Sequence, residues 1–226
     1  MKIIILAAGI GSRLGNPFPK PLTPLKEGKS IMERQVEYLS GNFNEHDISV
    51  VVGFKKDLIM ERFPDLSYIY NQYFDATNTS KSLLKALLKY RNEDVLWLNG
   101  DVIFDAELFS VLNKEIEQKN SFVSVNTSRV ADEEVKYTLK NDHIHKLSKQ
   151  VKNGLGEAVG INFIAKEDMA AFIQQLENCD DNDYFEKGIE MAIQENNMKV
   201  KAVDISKFRC VEVDFKEDLE AANNMF

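Results

Sequence analysis

Five short stretches of continuous apolar residues lie at positions 2–7, 48–53, 95–99, 122–126 and 158–164. Longer segments with apolar residues at helical spacing separate them. Continuous Val, Ile and Leu, without strict alternation, suit strands covered on both faces, as in a parallel sheet. Helical spacing recurs at 30–40, 80–90, 106–118, 166–177, 185–195 and 217–224. In 80–90, Leu83, Leu84, Leu87 and Leu88 make one apolar face. This order predicts an α/β fold: a three-layer sandwich with a mainly parallel, Rossmann-like sheet and right-handed crossovers. A chain of 226 residues suits one domain spanning 1–226. Segment 135–153 differs, being polar and alternating, with Tyr137, Leu139, Ile144 and Leu147. It reads as a small antiparallel excursion, either a hairpin folding over a substrate or a plain surface hairpin. It is also a candidate homodimer interface.

Charge narrows the function classes. The net charge is −8, and no cluster of Lys and Arg makes the basic face a nucleic-acid binder would use. The N-terminal apolar run, Ile3 to Ala8, is too short to span a membrane and lacks the form of a secretory signal. A cytoplasmic protein with no membrane or nucleic-acid partner is expected. Cys179 and Cys210 lack CxxC spacing and read as free buried thiols. His46, His143 and His145 form no zinc-like pattern with them.

After the first strand comes Leu6-Ala7-Ala8-Gly9-Ile10-Gly11-Ser12-Arg13-Leu14-Gly15, then Asn16-Pro17-Phe18-Pro19-Lys20-Pro21-Leu22. Glycines at a strand end let backbone amides approach phosphate oxygens. Four of the chain's five prolines lie between positions 17 and 24. They predict a stiff extended loop that holds Arg13 and Lys20 over one pocket. Two common templates fail. The dinucleotide fingerprint places Leu14 where its third glycine belongs, and the Walker loop needs a glycine at Thr23, five residues before Gly28.

The combination Ala7-Ala8-Gly9-x-Gly11-x-Arg13-Leu14, Pro19-Lys20-Pro21-Leu22 and Gly28-Lys29-Ser30-Ile31 resembles the signature of the nucleotidyltransferases that activate sugar phosphates and small phosphorylated compounds. That resemblance implies the GT-A-like nucleotidyltransferase fold. It implies a nucleotide site along Leu6, Ala7, Ala8, Gly9, Gly11 and Gly100, with Arg13 on the β- and γ-phosphates and Lys20 on the α-phosphate. One departure is a short spacing between Arg13 and Pro19, where many sugar-activating members carry a longer insert.

Two carboxylates are candidate metal ligands. Val95-Leu96-Trp97-Leu98-Asn99-Gly100-Asp101 is an apolar strand ending in Asp101. Open α/β sheets build their sites at the carboxyl ends of strands. Mg²⁺ takes one or two carboxylates plus phosphate oxygens and water. Asp214 follows a short strand, and its spacing to Glu217 also suits a helix cap. Glu212, Asp214, Asp218 and Leu219 resemble the family's late Glu-x-Asp-x-x-x-Asp-Leu pattern. On that resemblance Asp101 pairs with Asp214 around Mg²⁺, and Asp218 is structural.

Segment 70–83 is polar and aromatic and feeds the leucine-striped helix. Asn71-x-Tyr73 and Asn78-x-x-x-Ser82-Leu83 look like the cytidylyltransferases that activate phosphocholine, aminoethylphosphonate and related compounds. That likeness assigns Asn78 and Ser82 to the base edge. Gly156-Glu157-Ala158-Val159-Gly160 and Asp183-Tyr184-Phe185-Glu186 resemble two further segments of that branch. Glu157, Asp183 and Glu186 are then acceptor-binding, the last two suited to a cationic acceptor. The expected activity is transfer of a cytidylyl group from CTP to a small phosphorylated substrate, using Mg²⁺. The resemblance ends where an acyltransferase extension would begin, so no second activity is expected. The competing readings are a sugar-1-phosphate nucleotidyltransferase, a silent nucleotide-binding module and, disfavoured by the failed fingerprint, a nicotinamide oxidoreductase.

Overall fold

Ile3, Ile4 and Ile5 are all fully buried, although consecutive strand residues point to opposite faces. A sheet with apolar layers on both sides resolves this. The computed structural model describes residues 1–15, 17–128, 130 and 134–226. Asn16 of the proline-rich loop lies outside the described residues.

The strands are β1 (Lys2–Ala7), β2 (Ile48–Val52), β3 (Ser67–Tyr70), β4 (Val95–Asn99), β5 (Val102–Phe104), β6 (Phe122–Asn126), β7 (Lys136–Lys140), β8 (His143–Ser148), β9 (Glu157–Ile164), β10 (Lys201–Asp204) and β11 (Cys210–Glu212). The helices are α1 (Ile31–Asn42), α2 (Lys56–Arg62), α3 (Thr79–Lys89), α4 (Phe109–Glu117), α5 (Met169–Asn178), α6 (Phe185–Asn196) and α7 (Lys216–Met225). The main sheet has the order β10-β6-β9-β4-β1-β2-β3. Its strands run parallel except β9, which is antiparallel to both β4 and β6. All eight residues of β9 are buried. Its continuous apolar run therefore reported burial on both faces, and it carried no information about direction.

One apolar layer packs Ile4, Leu6, Trp97 and Val123 against α3, α5 and α6. The Trp97 ring stacks on Phe172 with centroids 5.6 Å apart and meets the edge of Phe185 at 5.6 Å. Such pairs add about 0.5–1.5 kcal/mol each beyond buried area. The opposite layer packs Ile3, Ile5, Leu96 and Phe163 against α1, α2 and α4. A third cluster joins Leu14, Leu25 and Ile31 to Ile103, Val213 and Ala222. This last cluster fixes the proline-rich loop and α7 to the rim of the sheet.

The excursion at 135–153 is the β7–β8 hairpin, which is antiparallel. It is not a free flap, because Tyr137, Ile144 and Leu147 sit in the first apolar layer. The Leu147 amide donates to Glu190 of α6 at 3.1 Å. Neither α2 nor edge strand β3 was expected from the sequence. β3 has only four residues with both ends exposed, and α2 has seven. Elements this short carry too few apolar positions to show a period. Cys179 and Cys210 are unpaired thiols, Cys179 buried and Cys210 partly so. No helix among the described residues is long and apolar enough to cross a membrane.

Candidate active site

A cavity of about 700 Å³ opens at the carboxyl ends of β1 and β4. Its wall comprises the loop after β1, the β4–β5 turn, the start of β9, the end of β11 and the N-termini of α3 and α6. Antiparallel β9 brings its first residue, Glu157, to the same rim.

The loop after β1 turns at Gly11, whose φ is +64°. A Cβ there would lie 3.0 Å from the Lys20 Cβ. Glycine thus supplies both the left-handed turn and the space that lets Lys20 pass. Pro19 and Pro21 flank Lys20 in a 3-10 turn over Lys20–Leu22, closed by the Thr23 amide on the Lys20 carbonyl at 2.9 Å. The Lys20 Nζ donates to Asp101 Oδ2 at 2.7 Å and to Asp214 Oδ1 at 2.5 Å. Burial disfavours the ammonium, but Asp101 and Asp214 override it and hold Lys20 above its ordinary range. Arg13 donates to Asp214 Oδ2 at 3.0 Å and lies over the Phe215 ring.

Asp101 and Asp214 are distant in sequence and meet through the small antiparallel sheet. There β5 pairs with β11, Val102 opposite Glu212. The Val213 amide also donates to the Asp101 carbonyl at 3.0 Å. Asp214 is not the α7 cap. Asp218 Oδ2 takes that role by accepting from the amides of Asp214 and Phe215 at 3.0 and 2.8 Å. Burial opposes ionisation of Asp214, and hydrogen bonds from Lys20 and Arg13 outweigh it, so its carboxyl is held below its ordinary range. Glu212 behaves oppositely. Burial first, then the charges of Asp101 and Asp214, push it well above the ordinary carboxylate range. From the sequence, Glu212 counted only as part of a motif, and no third carboxyl beside the two aspartates was expected.

No group of three or more His, Cys, Asp and Glu suited to a metal occurs among the described residues. Asp101 and Asp214 supply two carboxylates, and Asp101 Oδ1 has no hydrogen-bond partner among the described residues. That donor set fits Mg²⁺, which completes its shell with phosphate oxygens and water, and it does not fit a metal caged entirely by protein.

Leu6, Ala7, Gly9, Gly11, Asn78, Gly100, Glu157 and Glu186 all line the cavity with Arg13, Lys20, Asp101 and Asp214. Three expected residues do not. Ala8 packs into the first apolar layer, and its carbonyl accepts from the Phe54 amide at 3.0 Å. Ser82 lies one turn into α3, where its hydroxyl accepts from Asn71 Nδ2 at 2.9 Å. Asp183 closes its own turn by accepting from the Asp180 amide at 2.8 Å. Asn78 reaches the wall, but its side chain is committed. Oδ1 caps α3 through the Thr79 amide at 2.8 Å, and Nδ2 donates to the Asn182 carbonyl at 3.2 Å. Of the two residues assigned to the base edge, Asn78 lines the cavity, and helix phase turns Ser82 inward. Glu186 is buried, its Oε2 has no hydrogen-bond partner among the described residues, and burial raises its carboxyl to about 7. Lys149 and Tyr184 also line this end, the ammonium 4.9 Å from the ring centroid. Lys149 follows a polar strand without a motif, and Tyr184 stood inside the Asp183–Glu186 resemblance without a role of its own.

A profile of the MobA-like NTP transferase domain matches residues 3–181. The chain belongs to the MobA-like NTP transferase family. The chain is 37% identical over 122 residues to a bifunctional protein GlmU of Methanococcus maripaludis, covering 51% of this chain and 28% of that protein. It is 32% identical over 114 residues to the CMP-5′-(3-aminopropyl)phosphonate synthase of Streptomyces rubellomurinus, covering 46% of this chain and 18% of that one. The chain thus spans less than a third of these relatives. In fold it is similar to the inositol-1-phosphate CTP transferase of T. maritima, with a TM-score of 0.84 at 18% identity over 99% of this chain and 94% of that one. The CTP:phosphocholine cytidylyltransferase of Streptococcus pneumoniae aligns with a TM-score of 0.77 at 18% identity, covering 99% and 97%. These structural likenesses establish the mixed α/β fold with its mainly parallel sheet.

Proposed function

We propose that this protein transfers a cytidylyl group from CTP to a small phosphorylated acceptor and releases pyrophosphate. The observation that carries the reading is the convergence of Arg13, Lys20, Asp101 and Asp214 at one end of the cavity. Two cations and two carboxylates there suit a reaction that needs positioning and charge neutralisation more than a covalent nucleophile.

Arg13 meets the β- and γ-phosphates, and Lys20 meets the α-phosphate. A phosphate oxygen of the acceptor attacks the α-phosphorus in line as the bond to the bridging oxygen of the β-phosphate breaks. The acceptor phosphate is already anionic near neutral pH, so no general base is required. Asp101 and Asp214 would hold Mg²⁺, which when bound supplies charge neutralisation at the phosphates. Gly9, Gly11 and Gly100 offer close backbone approach for the nucleoside. Glu157 and Glu186 also line the cavity and favour an acceptor with a cationic group, of the phosphocholine, aminoethylphosphonate or phosphoglutamine type. The phosphonate synthase relative and the two CTP-using fold neighbours support cytidine.

The GlmU relative favours a second reading, a sugar-1-phosphate as acceptor with UTP or TTP. Pyrophosphate release, measured for CTP, UTP and TTP against both acceptor classes, separates the two. Turnover with CTP and a non-sugar acceptor is expected. Turnover confined to UTP or TTP with a sugar phosphate sinks the cytidylyl reading. In the productive pair, Asp101→Ala abolishes turnover while the circular dichroism spectrum is retained.

A further inference from the structure

Gln35 is 1% exposed on α1 and is not part of the cavity lining. Its Nε2 donates to the Asn99 carbonyl at 2.8 Å and to the Val102 carbonyl at 2.8 Å. Asn99 ends β4 and Val102 begins β5. One side-chain amide therefore spans Gly100-Asp101, with both of its donors spent on the flanks of the Asp101 turn. Its Oε1 has no hydrogen-bond partner among the described residues. Burying an amide with one end unpaired costs about 1–3 kcal/mol, so an apolar residue would serve packing alone at least as well.

The turn is constrained on its other sides. A Cβ on Gly100 would lie 2.8 Å from both the Leu6 carbonyl oxygen and Pro21 Cγ. The Gly100 amide donates to that Leu6 carbonyl at 2.8 Å. The Asp101 carbonyl is held by Val213. Gln35 adds a restraint on both flanking carbonyls, those of Asn99 and Val102. The register of α1 that delivers it is set by the Ser30 capping box, in which the Glu33 amide donates to Ser30 Oγ at 3.2 Å and the Ser30 amide to Glu33 Oε2 at 2.8 Å.

We infer that Gln35 is a positioning residue, whose amide clamps the Asn99–Val102 turn so that the Asp101 carboxylate presents to a divalent cation. The inference rests on the metal-dependent transferase reading and concerns a residue that touches neither substrate nor metal.

The test compares the parent with Gln35→Met, which keeps the shape and removes both donors. Mn²⁺ binding is measured by calorimetry without nucleotide, and pyrophosphate release is followed against metal and nucleotide concentration. Outer partners of metal ligands typically govern about 10–100-fold in affinity or activity. Gln35→Met is expected to weaken Mn²⁺ binding and raise the metal half-saturation by about ten-fold or more. It should lower kcat and leave the nucleotide KM nearly unchanged. If Gln35→Met does not fold, Gln35→Glu takes its place. Its protonated acid can still donate once, so its Mn²⁺ affinity relative to the parent should fall as the pH is raised. A folded variant with parental Mn²⁺ affinity and metal half-saturation overturns the inference. So does a parent that takes up no Mn²⁺, since no ligand would then need positioning. A parent that binds Mn²⁺ yet turns over no nucleotide overturns the transferase reading alone.

Discussion

The Lys20 ammonium donates to Asp101 at 2.7 Å, and the same nitrogen donates to Asp214. An internal cation thus neutralises the two carboxylates proposed to hold a metal. Replacing it with an uncharged side chain leaves two like charges facing each other in a partly buried site. Lys20→Met is therefore expected to lower the thermal midpoint in metal-free buffer, and millimolar Mg²⁺ should restore it, while NaCl at equal ionic strength should not. Turnover should fall by about 10²–10³-fold, the range for losing one charged donor at a reacting centre. Differential scanning fluorimetry with and without metal checks the first part. A parental midpoint in metal-free buffer would count against it.

Asp218 holds the start of α7 by accepting from the amides of Asp214 and Phe215. Asp218→Ala should cost about 1 kcal/mol, as for other helix N-terminal caps. It should also loosen Asp214 and reduce turnover more than the stability loss explains. Urea unfolding gives the first quantity, and kcat under fully folded conditions gives the second.

Glu186 is buried, and its carboxyl is raised to about 7, by burial first. Its own backbone amide and Lys149 act against the shift, and Glu134 adds to it. A raised carboxyl means the folded chain binds this proton more tightly than the unfolded chain. Stability from this group is therefore full below about 4.5 and is lost as pH rises through about 7. The difference is up to about 3 kcal/mol. Glu186→Gln should therefore gain stability over the parent at pH 8 and show a flatter stability profile between those limits. Parallel urea titrations at pH 5 and pH 8 decide this, and equal differences at the two pH values would refute it. If a cationic acceptor binds here, it should shift the parent's titration downward and leave Glu186→Gln unaffected.

Much of the fold was legible because buried strands and striped helices leave local signatures. The runs around Ile3–Ile5 and Leu96–Leu98 marked the central strands. Leu83 and Leu87 marked the buried face of α3. The loop carrying Arg13 and Lys20 left a local signature too, since glycine permits backbone turns that other residues avoid and proline fixes φ wherever it stands. Short edge elements such as β3 were not, and neither was the direction of β9, which depends on which neighbours it finds.

The sequence by itself determined the layered α/β fold and the glycine- and proline-bearing loop, because propensity, periodicity and backbone preference are local properties, and its motif resemblance singled out the candidate aspartates. Only the tertiary structure decided which of these residues meet. The β5–β11 pairing brings Asp101 beside Asp214. Helix phase turns Ser82 toward Asn71 and away from the cavity. Burial raises the Glu186 carboxyl to about 7, and packing of α1 brings Gln35 to the carbonyls of Asn99 and Val102 on either side of the Asp101 turn. Each of these depends on contacts between residues far apart in the chain, and no local pattern encodes the distance between them.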